Sequence, residues 1–525
     1  QRRVHGEPVL FIITMAIALG IRNFLLLFII PFIFLSQYSK AVSDSGKIIT
    51  SFNRTSFPWD FLFGSGAAAY QTEGSPLKYS RGASNWDEYT KKFPERIADG
   101  STGEVTTDFY NKYKEDIQLA KKMGLDTFRL SISWSRVIPS GMLKGGVNDI
   151  GVKFYNQVIN EIISNGIKPF VTLYHFDTPQ ALEEAYGGPL SSSLVNDFKD
   201  YADFCFKTYG DRVKLWTTIN EPNILSRFGY ASSSLAPGRC SPVDGNCTSG
   251  DSATEPYLVA HHLLLAHATA ANLYKTKYQA TQKGDIGMNL AAGWYYPLNN
   301  TVADQLAVSR ALDFDFRRIL HPLTFGDYPE SMKKLLGKRL PTFTEEQSKM
   351  LISSQDFLTL NYYSSFYAYD VPSLVNKSTL SFNTDGHYGQ TGFRNGVAIG
   401  MQTAAPQFFS YPKGLFRVLK YIKDNYKNPQ VYITENGYAT KGSLAFNEAI
   451  NDKGRVSFMR GHLKYLLKAV RKGCNVKGYA VWALTDNWEW SSGFTVRYGL
   501  VHIDLKTLAR YFKASALWYK KFLLH

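Results

Sequence analysis

The chain has 525 residues, of which 44% are hydrophobic, 20% charged and 15% aromatic, and it carries a formal net charge of +15. That composition is ordinary for a globular chain, and a length of this order is compatible with one large α/β barrel, so neither divides the sequence. No run of five or six cations occurs, so the diffuse basic excess argues against nucleic-acid binding and for loose attraction to an acidic matrix.

In chain order, residues 1–14 precede the first Met and read as upstream sequence rather than protein. From Met15, MAIALGIRN is a short n-region, FLLLFIIPFIFL (24–35) an apolar h-region, and SQYSKA a polar segment ending on small residues. The apolar run is too short to span a bilayer and is broken by Pro31, so the expectation is a signal peptide over 15–41, cleaved near Ala41. A linker over 42–56 and one domain over 57–525 follow. Loss of residues 1–41 removes Arg2, Arg3, Arg22, Lys40 and Glu7. Entry into the secretory pathway agrees with N-glycosylation sequons at Asn53, Asn246, Asn299 and Asn376. It also agrees with Cys240 and Cys247, which lie close enough in APGRCSPVDGNCTSG to close a small disulfide ring. Cys205 falls on an apolar helical stripe with Phe198, Tyr201, Ala202 and Tyr209 and reads as a buried thiol; Cys474 has no evident partner, and no spacing resembles a metal site. The expected destination is the vacuole or cell wall rather than the ER lumen, with no membrane association in the mature form.

Short apolar runs then alternate with longer helical patterns. The predicted strands are 61–69, 127–134, 168–176, 214–220, 285–293, 357–365, 430–436 and 476–484. Eight strand–helix units predict a single-domain (β/α)₈ barrel, whose chemistry collects at the C-terminal strand ends. Those ends carry Gln71, Glu73, His175, Asn220, Glu221, Asn361, Tyr363, Glu435, Trp482, Glu489 and Trp490. Glu221 (KLWTTINEPN) and Glu435 (VYITENG) stand in matched settings, each where an apolar β-branched strand meets a loop. Two carboxyl groups facing across a sugar are what glycosidic cleavage needs: one protonates the leaving oxygen, the other attacks or activates water.

TINEPN and ITENG, together with PWDFLFGSGAAAYQTEG, FRLSISWSRV and DNWEW, resemble the retaining β-glycosidases of glycoside hydrolase family 1 from about Phe57 to the C-terminus. The nearest likeness is to the family's secreted plant β-glucosidases. The resemblance implies Glu221 as acid/base and Glu435 as nucleophile, supported by Arg129, Tyr363 and Asn361. It implies a sugar pocket of Gln71, His175, Asn220, Trp482, Glu489 and Trp490, a small-molecule β-glucoside as partner, and no cofactor. Glutamate at 221, where thioglucosidase relatives have Gln, points to O-glycosides; Glu489-Trp490 fits a free 4,6-diol rather than a 6-phosphate. Strand three ends His-Phe-Asp where His-Trp-Asp is usual. Gln407 stands where relatives usually place an aglycone-stacking tryptophan, leaving Phe408 or Phe409 to replace it in part. Small Ser491 and Ser492 leave a disaccharide glycone open. Transfer of glucose to an acceptor shares the same intermediate and stays open, as does homo-oligomerisation. An inactive sugar-binding barrel would be marked by loss of either Glu, and neither is lost.

Overall fold

Eight parallel strands close on themselves in the computed structural model, which describes residues 52–75, 78–372 and 380–524. They are β1 (Leu62–Gly66), β2 (Thr127–Ser131), β3 (Lys168–Tyr174), β4 (Leu215–Ile219), β5 (Asp285–Ala291), β6 (Phe357–Asn361), β7 (Val431–Glu435) and β8 (Val476–Val481). Each pairs with its sequence neighbours, and β8 returns to β1. The barrel unit spans Phe57–Leu524. In the other unit the described residues form one 3₁₀ turn, Arg54–Ser56, with the Asn53 side chain accepting from the Thr55 amide at 3.0 Å. The predicted signal segment and the Asn376 sequon lie outside the described residues; among those that are described, no helix is long and apolar enough to cross a membrane.

All eight predicted strands are present, and each stops short of its predicted C-terminal limit. The final residues of each window leave the barrel ladder, as Phe176 shows by adopting left-handed backbone (φ 69°); Glu221, one residue past its window, does the same (φ 41°). At the C-terminal ends Glu435 pairs with Asn361 after a one-residue irregularity in β7, and Asn361 pairs with Ala291. Gly287 is obligatory in β5, because a Cβ there would lie 2.1 Å from the Phe357 carbonyl oxygen.

The two ends of the barrel are filled by opposite chemistry. Towards the N-terminal ends of their strands Phe170, Leu215, Phe357 and Tyr432 form an apolar layer, with the Phe357 and Tyr432 rings edge-to-face at 5.2 Å. Such pairs contribute about 0.5–1.5 kcal/mol each beyond burial of area. Most outer helices bury one stripe, whereas Glu255–Lys277 is buried nearly all round. In Ser193–Tyr209 the stripe includes Leu194, Phe198, Tyr201, Ala202, Cys205 and Tyr209, so Cys205 is the buried thiol its spacing predicts. Cys474 is likewise buried and free, and Cys240 and Cys247 are joined as a disulfide.

The long loop after β8 is anchored from below. Buried Asp486 accepts from Lys513 Nζ at 2.6 Å and from the Gly499 amide at 3.0 Å, with His502 and Arg497 at 3.4 and 3.8 Å. Burial pushes this acid upward, but Lys513, His502 and Arg497 outweigh it and hold Asp486 below the usual carboxylate range. Lys513→Met leaves that charge buried without its closest partner and should cost about 3–5 kcal/mol, read as a lower melting temperature. A depressed acid stabilises the fold above its unfolded value of about 3.9 and stops doing so as pH falls through the folded value. The loss of stability on acidification below about pH 4 should therefore be smaller in Lys513→Met than in the parent protein.

Candidate active site

Glu435, the last residue of β7, is buried and ion-paired through Oε1 to Arg129, which rises from the middle of β2. Its Oε2 accepts from the Tyr363 hydroxyl at 2.6 Å. Both oxygens of this carboxylate are thus held by donors, one of them a buried guanidinium. Glu221 sits where β4 passes into the helix Pro222–Tyr230, and its only side-chain donor among the described residues is Asn361 Nδ2, at 2.6 Å from Oε1. Burial, then the charge of Glu435, raise this acid to about 8 against the opposing pull of Asn361 and Arg129. Near neutral pH Glu221 keeps its proton.

One hydrogen-bonded path joins the two. Arg129 Nη2 donates to Asn220 Oδ1 at 2.6 Å, and Asn361 Nδ2 reaches the same oxygen at 3.3 Å. Since Asn220 Oδ1 accepts, its other end is the amide NH₂, which donates to His175 Nε2 at 3.2 Å and leaves the imidazole proton on Nδ1. Burial and the nearby Arg129 charge lower the His175 pKa far enough to keep the ring neutral.

A second cluster borders the first. The His175 ring lies nearly parallel to both Trp482 and Trp490, at 6.0 Å from each. Glu489 accepts from Trp482 Nε1 at 3.2 Å and from Gln71 Nε2 at 3.2 Å, and burial is the main cause that raises it to about 8. Gln71 also donates to the Trp488 carbonyl at 2.9 Å, while its Oε1 is buried without a partner among the described residues. Glu221, Phe176 and Trp490 (φ 52°) all take left-handed backbone, a conformation that costs a non-glycine residue of order 1–3 kcal/mol and clusters at functional sites.

Several strand-end residues have other duties. Glu73 is spent on Arg136 Nε at 2.7 Å and the Tyr155 hydroxyl at 2.6 Å, an internal pairing between segments far apart in sequence. Of the three residues expected on the aglycone side, Phe408 stacks on Tyr363 with ring centres 5.3 Å apart. Phe409 points elsewhere: it is buried against Phe393 in the strand Phe409–Ser410, where side chains alternate. Gln407 is exposed. Ser491 is tied back to the Ser234 carbonyl. Two residues not singled out from the sequence also stand close by. Asn289 of β5 accepts from the Glu221 amide at 3.3 Å; a polar residue inside an apolar strand was its only signal. Asp315, on a π-helical turn, accepts from the Gly293 amide at 2.9 Å and adds to the field that raises Glu221, a tertiary contact with no sequence mark.

The family model for glycosyl hydrolase family 1 matches residues 53–525. Beta-glucosidase 17 of Arabidopsis thaliana is 50% identical over 480 residues, 91% of this chain and 93% of its own. Furcatin hydrolase of Viburnum furcatum is 52% identical over 467 residues, 89% of this chain and 86% of its own. Among solved structures, a rice β-glucosidase superposes with a TM-score of 0.88 at 40% identity, covering 90% of this chain and 100% of its own. A mutant of that rice enzyme has been seen in a covalent complex with glucose, with the same score and coverage.

An acid whose pKa is raised by folding binds its proton more tightly in the folded state, so its contribution falls as pH rises from about 4.3 through the folded value. Glu221→Gln and Glu489→Gln should therefore melt higher than the parent at pH 8, by a few °C, as about 1–2 kcal/mol gives in a large domain. The difference should shrink towards pH 5, and thermal melts at the two pH values check it.

Proposed function

The chain belongs to glycosyl hydrolase family 1 and is a retaining β-glucosidase; from that premise we propose that Glu435 is its nucleophile, Glu221 its acid/base, and a plant specialised-metabolite O-β-glucoside its substrate. The observation that carries the assignment is the opposite state of two buried carboxylates at the ends of β4 and β7. Glu435 is matched by a buried guanidinium, whereas Glu221 has only an amide donor and keeps its proton.

Chemistry follows from that asymmetry. Glu221 delivers its proton to the glycosidic oxygen as a Glu435 oxygen bonds to C1, and the electron pair of the breaking C1–O bond leaves with the aglycone. Arg129 and Tyr363 hold Glu435 pointed at C1. Once Glu435 is an ester it no longer opposes ionisation of Glu221, which then takes a proton from water as the water oxygen bonds to C1 and releases Glu435. Glucose departs with its original anomeric configuration.

Around the sugar, the unpartnered Gln71 Oε1 presents an acceptor to hydroxyl groups, the Glu489 carboxyl group can both donate and accept, and the Trp482 ring offers a stacking face. Asn220, locked between Arg129 and His175, suits a bond to the 2-hydroxyl that strengthens as positive charge grows at C1. On the leaving-group side the Phe408–Tyr363 stack supports a flat aglycone. The closed Cys240–Cys247 ring and the exposed sequon residues Asn246 and Asn299 support a secretory route with N-glycosylation, ending in vacuole or cell wall.

The reading is tested with aryl β-D-glucosides, following aryl alcohol and free glucose separately. Glu435→Gln should lose at least ~10³-fold in kcat/KM. Glu221→Gln should lose ~10²–10⁴-fold with poor leaving groups but little in the first step with dinitrophenyl glucoside. In the parent enzyme, kcat/KM for poor leaving groups should fall on an alkaline limb near pH 8. Equal release of alcohol and glucose marks hydrolysis; alcohol in excess marks transfer to an acceptor. Full activity in Glu435→Gln contradicts the assignment.

A further inference from the structure

The amide of Asn361 donates to Glu221, and its orientation can be traced to one group with no freedom to reverse. The Glu221 main-chain N–H can only donate, so the atom of Asn289 that faces it at 3.3 Å is the oxygen. The opposite end of Asn289 is then NH₂, which must donate; it does so to Thr434 Oγ1 at 2.7 Å and to Asn361 Oδ1 at 2.9 Å. Because the Thr434 hydroxyl accepts from Asn289, its own hydrogen turns to Asn361 Oδ1, 2.8 Å away. Two donors on that oxygen leave the NH₂ of Asn361 facing Glu221 Oε1 and Asn220 Oδ1. Asn289, Thr434, Asn361 and Asn220 are all buried, so no solvent competes for these bonds. The ring of polarity begins on the backbone of Glu221 and ends on its own carboxyl group.

We infer that Asn289 is a positioning residue that fixes which oxygen of Glu221 carries the catalytic proton. With an amide N–H aimed at Oε1, a hydroxyl hydrogen on that oxygen would meet a donor head-on. The proton therefore sits on Oε2, free to pass to the leaving oxygen as the C1–O electron pair departs and the Glu435–C1 bond forms. Asn289 does not touch the substrate; it acts through Asn361. The inference rests on the acid/base assignment of Glu221.

Asn289→Leu removes the polarity at similar volume. It frees both Thr434 and Asn361 to rotate, whereas Thr434→Val keeps the Asn289 bond to Asn361. The measurement is kcat/KM from pH 5 to 9 across β-glucosides with leaving groups from dinitrophenol to simple alcohols, with folding checked by thermal melts. In Asn289→Leu, dinitrophenyl glucoside should stay within ~3-fold of the parent while alkyl glucosides lose ~30–100-fold, inside the range that general acid catalysis supplies. The alkaline limb should move upward, because the anion of Glu221 loses its donor. Thr434→Val should show the smaller effect on both. If Asn289→Leu does not fold, Asn289→Ala is expected to show the same pattern.

Equal losses for every leaving group, or an unchanged limb and unchanged leaving-group dependence, would overturn the inference. Glu221→Gln measured in parallel separates the two levels. If it too is insensitive to leaving group, the acid/base assignment fails; if it is sensitive and Asn289→Leu is not, only the role of Asn289 fails.

Discussion

One buried cation shared unequally between two carboxyl groups underlies the site. Two unscreened carboxylates in one low-dielectric chamber repel, and one must be neutral unless each has a counter-charge. Arg129 gives one nitrogen to Glu435 and the other to the neutral amide of Asn220. Glu221 receives only an amide N–H and is left on the acid side of neutrality. On the proposed assignment, the division of labour between attacking group and proton donor is set by where one guanidinium points. In the proposed mechanism it reverses in the second half of the reaction because the first half removes the charge on Glu435.

The barrel makes that arrangement affordable in structural terms by separating apolar from polar filling. Phe170, Leu215, Phe357 and Tyr432 fill the end nearer the N-termini of their strands, so the C-terminal ends can gather Arg129, Asn220, Asn289, Asn361, Thr434 and both glutamates in hydrogen-bonded register. Loops supply the remainder. The one after β8 brings Glu489 and Trp490 beside His175 and Gln71, and it is fixed by the buried Asp486–Lys513 pair together with the short pairing of Val496–Arg497 with Thr440–Lys441.

Much of this was legible in the sequence because it is local. A β-branched run ending on Glu before a Pro or Gly gives both the strand and the place where the carboxylate emerges, as in Glu221 and Glu435. Residues expected from the resemblance to line a sugar pocket, such as Gln71, His175 and Glu489, are brought by the fold into two adjoining clusters. What stayed hidden depends on tertiary partners. Glu73 looks as reactive as its neighbours until Arg136 and Tyr155 close on it. Phe408 and Phe409 are indistinguishable by type, and only the fold sends one to Tyr363 and the other to Phe393. Asn289 is one polar residue in an apolar strand, and its meaning appears only when three other strands present Glu221, Asn361 and Thr434 to it.

The most direct test of the central claim is to trap the covalent intermediate. A 2-deoxy-2-fluoro-β-glucoside with an activated leaving group should inactivate the enzyme with one sugar per chain, and peptide mass spectrometry should place that sugar on Glu435 within VYITENG. Label on any other carboxylate, or turnover with no covalent adduct, would contradict the assignment of the ion-paired carboxylate as the attacking group.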